Sequence, residues 1–117
     1  MATIVATNIK AQGVAAVTET TLTGTADTFT YGSGKNQTLI LRNATAGALT
    51  PVIDGASSTT IAVAGVGSID VSAGFAVGSI AAGAVKSIQT ESISAYLQGT
   101  IAITGGTGLV ATLLEIY

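Results

Sequence analysis

Two glycine-rich stretches are the first places where this chain could do chemistry. Residues 103–117 read ITGGTGLVATLLEIY, and residues 31–36 read YGSGKN. A phosphate-cradling loop needs glycines, then a lysine followed by Ser or Thr, at the mouth of a helix. Gly105-Gly106-Thr107-Gly108 runs into Leu109-Val110-Ala111, with no lysine. In Gly32-Ser33-Gly34-Lys35 the lysine is followed by Asn36. The dinucleotide fingerprint fails too, because Gly106-Thr107-Gly108 lacks its third glycine. Both stretches therefore read as turns. GGTG is expected to be a hairpin loop whose glycines supply positive φ.

Other chemistries find little to work with. The chain has no histidine, which removes the commonest general base and metal ligand. It has no cysteine, so neither disulfides nor thiolate metal sites exist. Serines are plentiful, but nothing beside them would activate a hydroxyl. The carboxylates Glu19, Asp27, Asp54, Asp70, Glu91 and Glu115 are isolated in sequence, with no calcium-loop spacing. Glu19 and Glu115 are expected to be solvated or paired. The cations Lys10, Lys35, Arg42 and Lys86 are scattered and form no nucleic-acid stripe. Phe29, Tyr31, Phe75, Tyr96 and Tyr117 are too dispersed for a base-stacking platform. Tyr31, at a turn, and Tyr117, at the extreme end, are the expected exposed anchors. The sequons at Asn36 and Asn43 read as chance. The expectation is a non-enzyme with no catalytic residue, metal or cofactor, binding neither nucleic acid nor membrane.

The elements that must carry these residues are strands. Frequent glycine and β-branched residues weigh against helices. One short helical turn is expected at TESISAYL (residues 90–97), with Thr90 as its cap. TTLTGTADTFTY (residues 20–31) alternates threonines but slips phase near Ala26-Asp27, which predicts a bulge or corner. QTLILRN (residues 37–43) predicts a central strand, with Leu39 and Leu41 on one face and Ile40 and Arg42 on the other. Pro51 predicts that LTPVID (residues 49–54) is an edge strand or begins after the proline. DGASS (residues 54–58), with Asp54-Gly55 at its start, reads as the best hairpin turn. TTIAVAG, GSIDVSAG and VKSI follow as short strands, with Gly65-Val66-Gly67 a turn. Residues 96–104 and 109–117 close the series. The last is apolar on both faces, so it should be central or covered. About eight short strands with turns roughly every ten residues predict an all-β, antiparallel β-sandwich, immunoglobulin-like or jelly-roll.

The 117-residue chain is one domain by length, read as an N-terminal arm or first strand over 1–18 and a sandwich over 19–117. Only 9% of residues are charged, against about 25% in typical soluble domains. A surface built from Thr, Ser, Gly and Ala repels itself weakly and invites association. The arm, with Met1, Ala2, Thr3, Ile4 and Val5 at its start, is expected to reach onto a partner or another copy. The run at 75–85 is too short to span a bilayer, and the N-terminus does not read as a signal peptide.

VIDGASSTTIAVAGVGSIDVS, FAVGSIAAGAVKSI and AYLQGTIAITGGTGLVATLLEIY give residues 37–117 a texture that resembles capsid decoration proteins of tailed bacteriophages, also called cement or head-stabilising proteins. The resemblance implies a β-rich module on the outside of the virion shell. It would bind the major capsid protein, often as a homotrimer, and hold the expanded head against its packaged DNA. It transfers no individual functional residue. Two other classes stay open: another virion part, such as a tail or fibre module, and a carbohydrate-binding β-sandwich. The lack of tryptophan counts against the second.

Overall fold

The computed structural model describes residues 2–117. The fold is mostly β, and among the described residues the one helix is a 3₁₀ helix, Thr90–Tyr96. The described residues form ten strands: β1 (Ala6–Asn8), β2 (Glu19–Thr21), β3 (Thr38–Asn43), β4 (Val52–Gly55), β5 (Thr60–Val63), β6 (Gly67–Asp70), β7 (Phe75–Ala76), β8 (Val85–Gln89), β9 (Ile101–Thr104) and β10 (Leu109–Glu115). Three open sheets result.

The largest sheet is organised by β10. One side of β10 pairs antiparallel with β3, and β8 lies beyond β3. The other side is shared: β2 runs antiparallel along Val110–Thr112, and β1 runs parallel along Leu113–Glu115. β1 is the parallel member of a sheet whose other strand pairings are antiparallel. The exposed loop 9–18 reverses the chain, so β1 and β2 meet one strand from opposite directions. β3 and β10 keep their alternation, with Leu39, Leu41, Leu109, Ala111 and Leu113 buried and Arg42 exposed.

The second sheet has the order β7-β4-β9. β4 begins one residue after Pro51, as a strand must if its first ladder donor is missing. β5 and β6 form a separate two-stranded ribbon around the expected turn, closed by Val66 N–H donating to the Val63 carbonyl at 3.0 Å. One core unites both larger sheets: Leu39, Leu41 and Leu113 from one, Ile53, Ile101 and Ile103 from the other. Ile4, Leu22, Phe29, Ile80, Ile93 and Leu97 fill in from connecting segments. Each such aliphatic side chain contributes about 1.5–3 kcal/mol on full burial. The radius of gyration is 14.5 Å, against about 13.4 Å for a chain of this length.

Three local expectations are corrected. DGASS holds a turn but not a hairpin, because β4 and β5 do not pair, and Asp54 and Gly55 lie in β4, opposite Ala102 and Ile101. The chain turns next, where Ser58 N–H donates to the Gly55 carbonyl at 2.9 Å. Gly55 serves close approach instead: a Cβ there would sit 2.4 Å from the Gln98 carbonyl and 2.7 Å from that of Tyr96. Gly105–Gly108 is not a hairpin either, because β9 and β10 belong to different sheets. It is the corner between them, and Gly105 (φ +74°) and Gly108 (φ +90°) do supply the left-handed backbone. Thr90 does not cap the 3₁₀ helix. Gln89 takes the cap position without a side-chain bond, and Thr90 is buried with its hydroxyl donating to the Gln37 carbonyl at 3.2 Å.

Candidate functional site

The expected contact residues fall into two structural groups, each organised by a carboxylate. The first is centred on Asp27, which sits where the threonine alternation slips. Gly24 (φ +86°) and Ala26 (φ +51°) break the strand into a corner and turn the Asp27 carboxylate inward. It is fully buried. Oδ1 accepts from Ala2 N–H (2.9 Å), Thr23 N–H (3.1 Å) and the Thr23 hydroxyl (2.7 Å). Oδ2 accepts from Gly24 N–H (2.9 Å). Burial by itself raises the carboxyl's pKa, but these donors together outweigh it, and the group titrates below its ordinary 3.8.

Asp27 thereby fastens the N-terminal segment to the body. Thr28 N–H donates to the Ala2 carbonyl and Ile4 N–H to the Thr28 carbonyl, both at 2.8 Å. Strand alternation then decides who faces out. Ile4 is 3% exposed and belongs to the core, whereas Val5 is 54% exposed. Thr3 is exposed and Ala2 half-buried. Met1 lies outside the described residues. Residues 2–8 thus lie on the chain's own corner and sheet, and Ile4 faces inward. After Ile9, whose N–H still donates to the Glu115 carbonyl at 2.9 Å, residues 10–18 leave the sheet, and Val14 there is 95% exposed.

The second group is built on YGSGKN. The Tyr31 hydroxyl donates to Glu91 Oε2 at 2.9 Å, and Gly34 N–H donates to Glu91 Oε1 at 2.8 Å. Burial and the Glu91 charge push the Tyr31 hydroxyl above its ordinary 10.0. Gly32 N–H donates to Gln37 Oε1 at 3.0 Å. Gln37 Nε2 in turn donates to the Thr30 carbonyl (2.9 Å) and to Glu115 Oε2 (2.8 Å). The loop amides that a phosphate would need are committed to the protein's own carboxylate and amide oxygens. Lys35 stands 3.9 Å from Glu115 and 5.1 Å from the Tyr117 ring centroid. Ile116 N–H donates to the Lys35 carbonyl at 2.9 Å, so the loop also holds the C-terminal residues. Tyr117 is 51% exposed; Tyr31, expected to be exposed, is half-buried.

Thr3 and Tyr31, far apart in sequence, line one open cavity of about 310 Å³. Thr28, Thr30, Gly99 and Thr100 complete its polar wall. Apart from the phenol none of these groups ionises, so the cavity suits a neutral hydrogen-bonding guest. Among the described residues no three of His, Cys, Asp and Glu lie close enough to hold a metal ion. No described helix is long and apolar enough to cross a membrane.

Sequence reasoning missed Asp27 as a clamp. The phase slip marks the corner, but not the chain that folds back onto it. It also missed Asn43. That side chain is fully buried, donates to the Gly47 and Ile80 carbonyls (both 2.8 Å), and accepts from Thr45 N–H. A glycan has no access to it, which gives a physical reason for discounting that sequon. Glu115 is 7% exposed and bonded to Gln37, and Glu19 pairs with Arg42 at 3.3 Å, in line with the paired reading of both.

No family model matches the chain, and no curated protein or solved structure matches it.

Proposed function

We propose that this chain is a capsid decoration (cement) module of a tailed phage, seated on the outer surface of the head. Its partner is the major capsid protein, and it acts as a homotrimer. The two larger sheets serve as the halves of an antiparallel β-sandwich of immunoglobulin-like or jelly-roll type. Thr3, Val5, Tyr31 and Tyr117 belong to the contacting surface. The observation that carries the proposal is a surface poor in charge and rich in bare apolar groups. Val5, Val14, Val17, Val66, Ile69, Val85, Ile116 and Tyr117 are all exposed. Such a surface loses little hydration on contact, and many modest contacts repeated over a symmetric shell add up by avidity. The sequence likeness over residues 37–117 supplies the phage shell as the partner.

The test is to image shells lacking the protein before and after adding it. Extra density on the outer face of the head is expected. A bare head at saturating protein overturns the proposal, and density confined to tails gives the chain to the tail instead. The threonine-lined cavity beside Tyr31 favours a second reading, a carbohydrate site, because sugars are neutral and hydrogen-bonding. Binding on a glycan screen, with bare shells, would select it.

A further inference from the structure

The β5–β6 ribbon has a free edge whose position and chemistry have a consequence. A lone two-stranded ribbon is marginal in water. Val71 and Ser58, both 2% exposed, anchor its base. Beyond them every residue of β6 is exposed, Ile69 is 39% exposed, and Val66 at the tip is 69% exposed. Ile61, opposite Ile69, is half-buried, so β6 is the more open of the two strands.

The direction of the free main-chain groups follows from the register. Val71 N–H donates to the Thr59 carbonyl at 2.8 Å. Counting by twos, Ile69 and Gly67 turn their main-chain groups toward β5. Ser68 and Asp70 then turn theirs outward. Among the described residues nothing pairs with them across this edge.

Outside the ribbon, the other outer strands carry protection that β6 lacks. β1, β2 and β7 have three, three and two residues. β8 carries Lys86 opposite Leu41, on the core-facing side of the sheet, which discourages an added strand. β9 is bridged along its other side by Asp27. From Gly55 to Val85 the one ionisable residue is Asp70. Its carboxylate folds back to accept from Ser72 N–H (2.9 Å) and the Ser72 hydroxyl (2.6 Å).

We infer that β6 is a self-association edge and that its occupant is β6 of a second copy, antiparallel about a two-fold axis at Ile69. In this register Ser68 and the second copy's Asp70 exchange both main-chain hydrogen bonds. The two Ile69 residues then face each other as a non-hydrogen-bonded pair, with Cα atoms about 4.5 Å apart. Each strand carries one carboxylate, Asp70, which stands across from the second copy's Ser68 rather than its Asp70 and is folded back onto Ser72. A four-residue pairing buries far less than the roughly 1,000 Å² of a stable interface, so the contact is weak in solution. Crowding of copies at one surface strengthens it. The inference does not depend on the capsid proposal. If trimers form through another surface, this edge links one trimer to the next.

The absence of cysteine makes the test clean. Ile69→Cys should form a disulfide-linked dimer under mild oxidation about tenfold faster than Val14→Cys or Ala62→Cys, because the paired Cα spacing suits a disulfide. In the unmodified chain, exchange of the Ser68 and Asp70 amides should slow as concentration rises, and Ile69→Lys should abolish that effect. Equal crosslinking of the three cysteine variants overturns the inference. So does amide protection that appears only when shells are added, which would assign the edge to another protein.

Discussion

Asp27 shows how one side chain holds distant segments in place. Its oxygens gather donors from Ala2, Thr23 and Gly24, so the carboxylate belongs as much to the N-terminus as to its own corner. Asp27→Asn keeps the shape but aims an NH₂ group at an N–H donor. We expect a loss of about 1–3 kcal/mol, read as a lower urea midpoint at unchanged slope. The pH dependence has a definite sign. The folded carboxyl titrates below its ordinary 3.8, so its contribution is complete above that pH and is lost as pH falls through the lower folded value. The stability gap between the parent chain and Asp27→Asn should stay constant above pH 5 and narrow below about 3.8. A gap that widens on acidification would contradict this assignment.

At the scale of elements, alternation and close approach decide what can change. Ile4 and Val5 are neighbours on one extended segment, yet one faces the core and the other solvent. Ile4→Ala should cost about 2–5 kcal/mol and Val5→Ala less than about 0.5 kcal/mol, both measured by denaturant unfolding. Similar costs would place the segment off the body. Gly55 and Gly47 make a second contrast. A Cβ on Gly55 collides with the main chain of Gln98 and Tyr96, while one on Gly47 meets nothing within 4 Å. Gly55→Ala should therefore lose about 2 kcal/mol or more, and Gly47→Ala should be near neutral. The sheet crossing at Gly105–Gly108 is constrained through the backbone instead, because Gly105 (φ +74°) and Gly108 (φ +90°) take a conformation that side chains strain.

For the whole molecule, sparse charge sets the behaviour. With four cations, six carboxylates and a pI near 4.6, the chain has little electrostatic self-repulsion at any mildly acidic pH. Light scattering should peak close to that pH. Binding to a shell should depend weakly on salt, because few ions are displaced when so few charges meet. Val5→Lys and Tyr117→Ala should each weaken it about tenfold or more while leaving the unfolding midpoint nearly unchanged. Unchanged binding in both variants would remove Val5 and Tyr117 from the proposed contact.

Some of this was legible in the residues alone. Leu39 and Leu41 against Ile40 and Arg42 marked β3 and its inner face, because burial on one side of a strand imposes a period of two. The double-sided apolar run at 109–117 marked a central strand, and Pro51 marked where β4 begins. The missing histidine and cysteine narrowed the chemistry before any fold was known. These are local facts, carried by side-chain type and spacing. Which strands pair was decided only in three dimensions. Asp54-Gly55 has the composition of a turn, but the passage of Gln98 behind it requires the glycine inside a strand. Ala2 reaches Asp27, and β1 runs parallel to β10, through contacts between residues far apart in the chain. No short window of sequence contains both partners of such a contact, so packing had to choose them.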